Sequence, residues 1–140
     1  MDKPTIYLTN WSSKRRHGPG RKLTIMARPR AWEHGAGTVH ALCPRLGDLD
    51  ALKAGDIDAG ESFARFRGGL DERLSQHSDR LSPGRLMFRG SDGLSPLVAD
   101  GDTLLCACAV GAPCHRREAA PYLVRAGWRV LLDGVEVTNG

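Results

Sequence analysis

Long apolar segments are missing from this sequence, and aromatic residues are few. A helix that crosses a bilayer needs roughly 20 consecutive apolar residues, and no segment of the chain approaches that length. The first residues, Met1-Asp2-Lys3-Pro4, also lack the pattern of a secretion signal. These absences lead us to expect a cytoplasmic protein that has no membrane partner. Because only 6% of the residues are aromatic, aliphatic side chains must form most of the core.

The common motifs of nucleotide and hydrolase chemistry are also missing. The sequence contains no Walker phosphate loop, no G-x-G-x-x-G fingerprint, no H-E-x-x-H and no G-x-S-x-G. It does contain four cysteines, which are Cys43, Cys106, Cys108 and Cys114. Without an export signal we expect these thiols to be reduced. Three of them fall within nine positions, and this clustering favours a metal site or a reactive thiol over structural disulfides.

The net charge of +4 comes largely from one stretch of the chain. Its basic residues are Lys14, Arg15, Arg16, His17, Arg21 and Lys22, with Arg28 and Arg30 following. Such a run is compatible with nucleic-acid binding, or with a solvated loop around a small anionic ligand. No aromatic side chains that could stack on bases are interleaved with it. We therefore favour the small ligand and keep nucleic acid as the alternative partner.

The hydrophobic pattern predicts a single domain over residues 1–140. Buried strands are expected at residues 5–9, 22–27, 103–109 and 128–132. Helices are expected around residues 46–52, from about 61 to 76, at 94–99, and from near Cys114 to a cap at Gly127. Gly68-Gly69 should weaken the second helix, and Pro121 should bend or delay the last one. The final strand, helix and strand form a βαβ unit. We predict an α/β fold with three layers, in which helices flank a mostly parallel, Rossmann-like sheet.

The chemistry is concentrated around the last loop and helix. Side chains two apart on a strand share a face, so Cys106 and Cys108 should point the same way. The following loop returns Cys114, His115 and Arg116 to the start of a helix. Parallel sheets bind ligands beyond the carboxyl ends of their strands, and helix amino termini attract anions. A thiol in that position should ionise readily.

Three interpretations of this cluster remain open. In the first, Arg116 and the helix start hold an anion, while Cys114 or His115 acts as nucleophile or acid–base group. In the second, the cysteines and His115 bind Zn²⁺, although Cys-x-Cys-x5-Cys-His is not a common zinc spacing. In the third, Cys106 and Cys108 are small core residues and only the helix start is functional. Arg28 and Arg30, which follow a predicted strand, are further candidate anion ligands.

The same stretch resembles the domain of unknown function 488 family. The shared pattern is a Leu-Leu-Cys strand, a short loop, Cys-His-Arg and a helix, then Gly and a last strand, which here are Leu104-Leu105-Cys106, Cys114-His115-Arg116, Gly127 and Val130. Looser upstream matches are Gly20-Arg21-Lys22-Leu23, Arg28-Pro29-Arg30, Leu42-Cys43-Pro44 with Leu49, and the segment from Phe63 to Leu74. The resemblance implies a three-layer α/β fold and a pocket between the Cys-His-Arg helix start and the Arg-Pro-Arg segment. Members of that family often carry an acidic residue where this chain has Cys108. The resemblance therefore implies either the loss of an activity that depends on this carboxylate or a metal or redox site created by the extra thiol.

Together these features predict a small cytoplasmic enzyme or ligand-binding domain for an anionic, phosphate-bearing, nucleotide-like ligand. The predicted site residues are Cys114 and His115 as the reactive pair, with Arg28, Arg30, Arg116, Cys106 and Cys108 around the ligand. The alternative is a non-catalytic nucleic-acid-binding module with a Cys/His zinc site, which would use the basic residues 14–22.

Overall fold

The computed structural model describes residues 3–26, 37, 39, 42–81, 98, 100–106, 114–125 and 127–138, with the backbone alone over 71–81. The strands are β1 (Thr5–Asn10), β2 (Lys22–Thr24), β3 (Thr103–Cys106), β4 (Arg129–Leu132) and β5 (Val135–Val137). The helices are α1 (Leu46–Ala54), α2 (Ala59–Leu81) and α3 (His115–Arg125), with one 3₁₀ turn at Lys14–Arg16. No helix in these ranges is both long enough and apolar enough to cross a membrane.

The strands form one sheet in the order β2-β3-β1-β4-β5. β1 lies between β3 and β4 and runs parallel to both, and β2 runs parallel to β3. Only β5 is antiparallel to its neighbour, β4. Since β3, α3 and β4 follow one another along the chain, α3 is the crossover connection of a βαβ unit. The predicted α/β fold with a mostly parallel sheet and flanking helices is confirmed, consistent with a Rossmann-like three-layer arrangement.

The core lies between the sheet and α3. Ile6 and Leu8 of β1 are fully buried in one cluster with Leu104 of β3 and Val130 of β4. α3 contributes small residues and one leucine to this cluster, namely Ala119, Ala120 and Leu123. The alanines allow the helix to approach the strands closely, and α2 then packs against α3. This aliphatic packing fixes where the first turn of α3 lies relative to the strand ends.

α3 ends as its sequence predicts. Gly127 has a φ of 105°, which a residue with a β-carbon rarely adopts. Its N–H donates to the Val124 carbonyl, and the N–H of Trp128 donates to the Leu123 carbonyl. These two bonds are those of a Schellman cap. Pro121 does not end the helix, which continues through it to Arg125.

Two expected elements differ from the structure, and a third lies outside the described residues. β2 ends at Thr24 instead of extending to residue 27. α2 starts earlier and ends later than predicted, and it continues without a break through Gly68-Gly69. Burial of Phe66 and Leu70 explains this continuity, since tertiary packing outweighs a helix penalty of about 1 kcal/mol per glycine. The predicted helix at residues 94–99 lies outside the described residues, apart from the buried Val98.

β5 was not predicted at all. It is joined to β4 by the two-residue turn Asp133-Gly134, whose φ angles are 50° and 85°. Positive φ at both central residues is the requirement of a type I′ hairpin turn, for which Asp-Gly is a preferred pair. The turn places Asp133 just beyond the carboxyl end of β4.

Candidate functional site

The carboxyl ends of the three central strands form the floor of the candidate site. Asn10 ends β1 and is aligned with Cys106 at the end of β3. Asp133 follows the end of β4, and its N–H donates to the Leu8 carbonyl of β1. Cys114, directly before α3, returns the chain to the same edge. This is the edge at which open parallel sheets bind their ligands.

Cys106 and Cys114 form a close thiol pair. Their Sγ atoms are 3.1 Å apart, and both residues are reduced and buried. They approach because Cys106 ends β3 while Cys114 directly precedes α3, at the same edge of the sheet. The structure therefore brings these two cysteines together, as the sequence predicted.

Arg116 is in contact with one member of the pair. Its guanidinium is fully buried, and Nη1 donates to Cys106 Sγ at 2.8 Å. Nη2 donates to Asp133 Oδ2 at 3.2 Å. Burial by itself lowers the pKa of Arg116, but Cys106 and Asp133 more than offset it, so that the pKa lies above its ordinary value. Arg116 is therefore a permanent buried cation between a sulfur and a carboxylate.

Asp133 holds that cation in place through its second terminal nitrogen, Nη2. While Oδ2 accepts from Arg116, Oδ1 accepts a 3.0 Å hydrogen bond from Thr9 Oγ1. Thr9 is fully buried in β1. A chain of contacts thus runs from Thr9 through Asp133 and Arg116 to Cys106. A buried arginine without a counter-charge would be strongly destabilising, so this carboxylate is required for the arrangement.

Thr9 and Asp133 were missed in the sequence. For Asp133 a signal was present, because Asp-Gly between short β-rich stretches is a strong hairpin signal. That signal would have placed a carboxylate at the strand edge where the cysteines were expected. For Thr9 there was no signal, since a threonine within a strand is ordinary.

His115, which was predicted to form a reactive pair with Cys114, lies against α2. Its ring makes edge contacts with Phe63 and Phe66 of α2, at centroid distances of 5.3 and 4.7 Å. Burial among these rings lowers the pKa of His115, although the nearby Cys114 and Glu118 oppose the shift. The imidazole is therefore neutral at pH 7. Its pairing with Cys114 as an acid–base group stays a prediction.

The basic stretch at residues 14–22 is divided between the two edges of the sheet. Arg21 belongs to the amino-terminal edge, where its Nη2 donates to Asp102 Oδ2 at 2.8 Å and its N–H donates to Oδ1. Lys14, Arg15 and Arg16 are exposed, and the Arg16 side chain lies against Gly134 beside Asp133. Arg16 of this second group therefore lies at the carboxyl edge of the sheet. The nucleic-acid alternative stays a prediction. Because Arg21 lies at the other edge of the sheet, residues 14–22 form a shorter basic surface than the sequence suggested.

Three predicted site residues, Arg28, Arg30 and Cys108, lie outside the described residues. Within the part of the chain that the structure describes, no three His, Cys, Asp or Glu side chains are grouped as a metal site would require. The four-ligand zinc site of the second interpretation includes Cys108, so that interpretation also stays a prediction.

A cleft of about 710 Å³ lies at the opposite edge of the sheet. Its lining includes Lys3 and Thr5 at the start of β1, together with Trp128 and Arg129 at the start of β4. These are the amino ends of parallel strands, where ligands of such sheets are not usually bound. It also lacks the thiols, so we place the chemistry at the cysteine edge rather than in this cleft.

Comparisons of the chain with models of protein families, with curated proteins and with solved structures found no match. The resemblance to the domain of unknown function 488 family therefore stays a prediction. What supports a function is the geometry of the cysteine edge itself.

Proposed function

We propose that this chain is a small cytoplasmic enzyme that uses a cysteine thiolate on an anionic, phosphate-bearing ligand. The observation that carries the proposal is the buried contact between Arg116 Nη1 and Cys106 Sγ. A cation in direct contact with a sulfur favours its thiolate form, which is the nucleophilic form of cysteine. The contact also lies at the sheet edge where this fold class binds ligands.

The roles that we assign differ from those that the sequence suggested. Cys106, the sulfur that Arg116 contacts, becomes the nucleophile, and Cys114 becomes its neighbour. Arg116 is buried and occupied by Cys106 and Asp133, so it positions and charges the thiol rather than gripping a ligand. The ligand anion is then left to the exposed Arg117 in the first turn of α3 and to Lys14–Arg16.

A reaction of this kind has a simple course. Cys106 Sγ attacks an electrophilic carbon or phosphorus atom of the ligand, and the bond to the leaving group breaks as the bond to sulfur forms. Water then releases the covalent intermediate and restores the thiol. The anionic group of the ligand is held at the start of α3, so that the electrophilic atom is presented to the sulfur.

The proposal is tested by alkylating the thiol pair with reagents that differ in charge. Serine replaces Cys43 and Cys108, so that only Cys106 and Cys114 can react. The ratio of the labelling rate by iodoacetate to that by iodoacetamide should then be about tenfold higher for Cys106 than for free cysteine at low salt. Arg117→Gln should remove much of this preference. Arg125→Gln, an exposed arginine at the other end of α3, is the matched control and should retain it. Equal preference in all of these proteins would reject an anion site beside Cys106.

A further inference from the structure

The thiol pair offers a chemistry that does not depend on an anionic ligand. Cys106 Sγ and Cys114 Sγ lie 3.1 Å apart without being bonded. Cys106 ends a strand and Cys114 directly precedes a helix, and a disulfide between them requires the sulfurs to approach to about 2.05 Å. The Arg116 guanidinium donates to Cys106 Sγ.

We propose that Cys106 and Cys114 form a redox centre that reduces a small hydroperoxide and cycles through a disulfide between them. This inference goes beyond the proposed function, because it needs neither the anion site nor a leaving group on a ligand. It assigns different roles to the two sulfurs. Cys106 is the sulfur that is oxidised first, and Cys114 is the sulfur that resolves the oxidised product.

The assignment of roles follows from the position of Arg116. The thiolate is the form that attacks a peroxide, and Arg116 Nη1 donates to Cys106 Sγ at 2.8 Å. Asp133 and Thr9 fix the guanidinium in that position. Redox-active cysteines commonly have a resolving cysteine beside them, and Cys114 is the neighbour at this distance. The Sγ of Cys43 instead donates to the carbonyls of Met26 and Val39.

The chemical steps balance as follows. Cys106 thiolate attacks the terminal oxygen of the hydroperoxide, an S–O bond forms, and the O–O bond breaks. The alkoxide or hydroxide that leaves takes a proton from solvent, and Cys106 becomes a sulfenic acid. Cys114 sulfur then attacks Cys106 sulfur, an S–S bond forms, and the S–O bond breaks. The hydroxide leaves as water with the proton of Cys114. The two cysteines have lost two electrons, which have reduced the peroxide, and an external dithiol returns them.

The burial of both sulfurs restricts the oxidant. Cys106 and Cys114 are 6% and 3% exposed, respectively. A protein disulfide as oxidant would need direct access to a sulfur for exchange. A small hydroperoxide needs far less room, which is why we assign the oxidant to that class.

The test uses the variant in which Cys43→Ser and Cys108→Ser leave only the two thiols. One equivalent of hydrogen peroxide should remove two hydrogen atoms from its intact mass, and dithiothreitol should restore them. Peptide mapping should place the bond between Cys106 and Cys114. Adding Cys114→Ser should instead leave Cys106 with one added oxygen, trapped by dimedone. Adding Arg116→Met should slow the oxidation by about tenfold.

The wild-type chain provides a check that does not depend on folding of the variants. Its oxidised form should show the same Cys106–Cys114 bond on peptide mapping. An unchanged mass, oxygen added at Cys106 while Cys114 stays reduced, or a bond to Cys108 would each overturn the proposal. The test is separable from that of the proposed function, because Cys114→Ser should abolish the disulfide and keep the preference of Cys106 for iodoacetate.

Discussion

Arg116 and Cys106 are joined in the interior of the protein, with the guanidinium Nη1 2.8 Å from the sulfur and no part of the arginine exposed. Ten positions separate them in the chain, and β3 and α3 bring them together. Arginine is rarely buried unless it is paired, and here Asp133 supplies the carboxylate. The thiol is therefore part of the charge arrangement that allows this arginine to be buried.

Loss of the Arg116 charge should destabilise the fold through its partner. Arg116→Met keeps much of the side-chain volume but leaves Asp133 without its cation, and we expect the free energy of unfolding to fall by about 3 kcal/mol. In the background of Asp133→Asn the same change should cost less, because no carboxylate is then stranded. Urea unfolding of the two single variants and the double variant measures the coupling. Additive effects would show that Arg116 and Asp133 do not act as a pair.

Stability should depend on pH through His115. Burial places the pKa of His115 in the folded protein below 6.5, so the unfolded chain binds more protons as the pH falls. The contribution of this histidine to stability is fully present above about pH 7 and is lost as the pH falls through 6.5 towards the lowered folded value. His115→Phe keeps a ring against Phe63 and Phe66, and should flatten the fall in unfolding free energy between about pH 7.5 and about pH 5. An unchanged pH dependence in this variant would contradict the buried, neutral imidazole.

The segment after β1 should tolerate no side chain at Gly18. A β-carbon there would lie 2.2 Å from Tyr7 Cδ1 and 2.5 Å from the Gly101 carbonyl oxygen. Gly18→Ala should therefore lower the free energy of unfolding by about 2 kcal/mol or more. Gly47→Ala is the matched control, since it lies in α1 with nothing within 4 Å of the added carbon. It should be neutral or stabilise the protein by up to about 1 kcal/mol. Equal effects of the two substitutions would argue against the close packing of Gly18 on β1.

Local sequence signals were enough for the framework of the site. Alternating and continuous apolar runs located β1, β3 and β4, and Gly127 marked the end of α3. The order of these elements predicted a parallel sheet. The parallel sheet in turn predicted that the chemistry lies at the carboxyl ends of its strands. The convergence of Cys106 and Cys114 needed only that β3 and α3 be adjacent in the chain.

The partners of the charged residues could not be predicted in the same way. Arg116 pairs with Asp133, and Arg21 pairs with Asp102, 81 positions away. Each pairing depends on strand order and register, which are set by packing across the whole sheet rather than by any local pattern. For this reason Arg116 was expected to bind a ligand, whereas the structure places its guanidinium on a thiol and a carboxylate.

The most direct test of the account is the ultraviolet absorbance of thiolate as a function of pH, measured on the protein that retains only Cys106 and Cys114. Because absorbance counts thiolates wherever they lie, burial of the sulfurs does not limit it. One thiolate should be present well below about pH 8.5, where an ordinary cysteine ionises. Arg116→Met should raise the pH at which this thiolate forms by at least about one unit. Arg117→Met, the exposed neighbour, should leave the curve in place. If both thiols ionise near the ordinary value and Arg116→Met changes nothing, Arg116 does not activate Cys106 and the proposed chemistry is wrong.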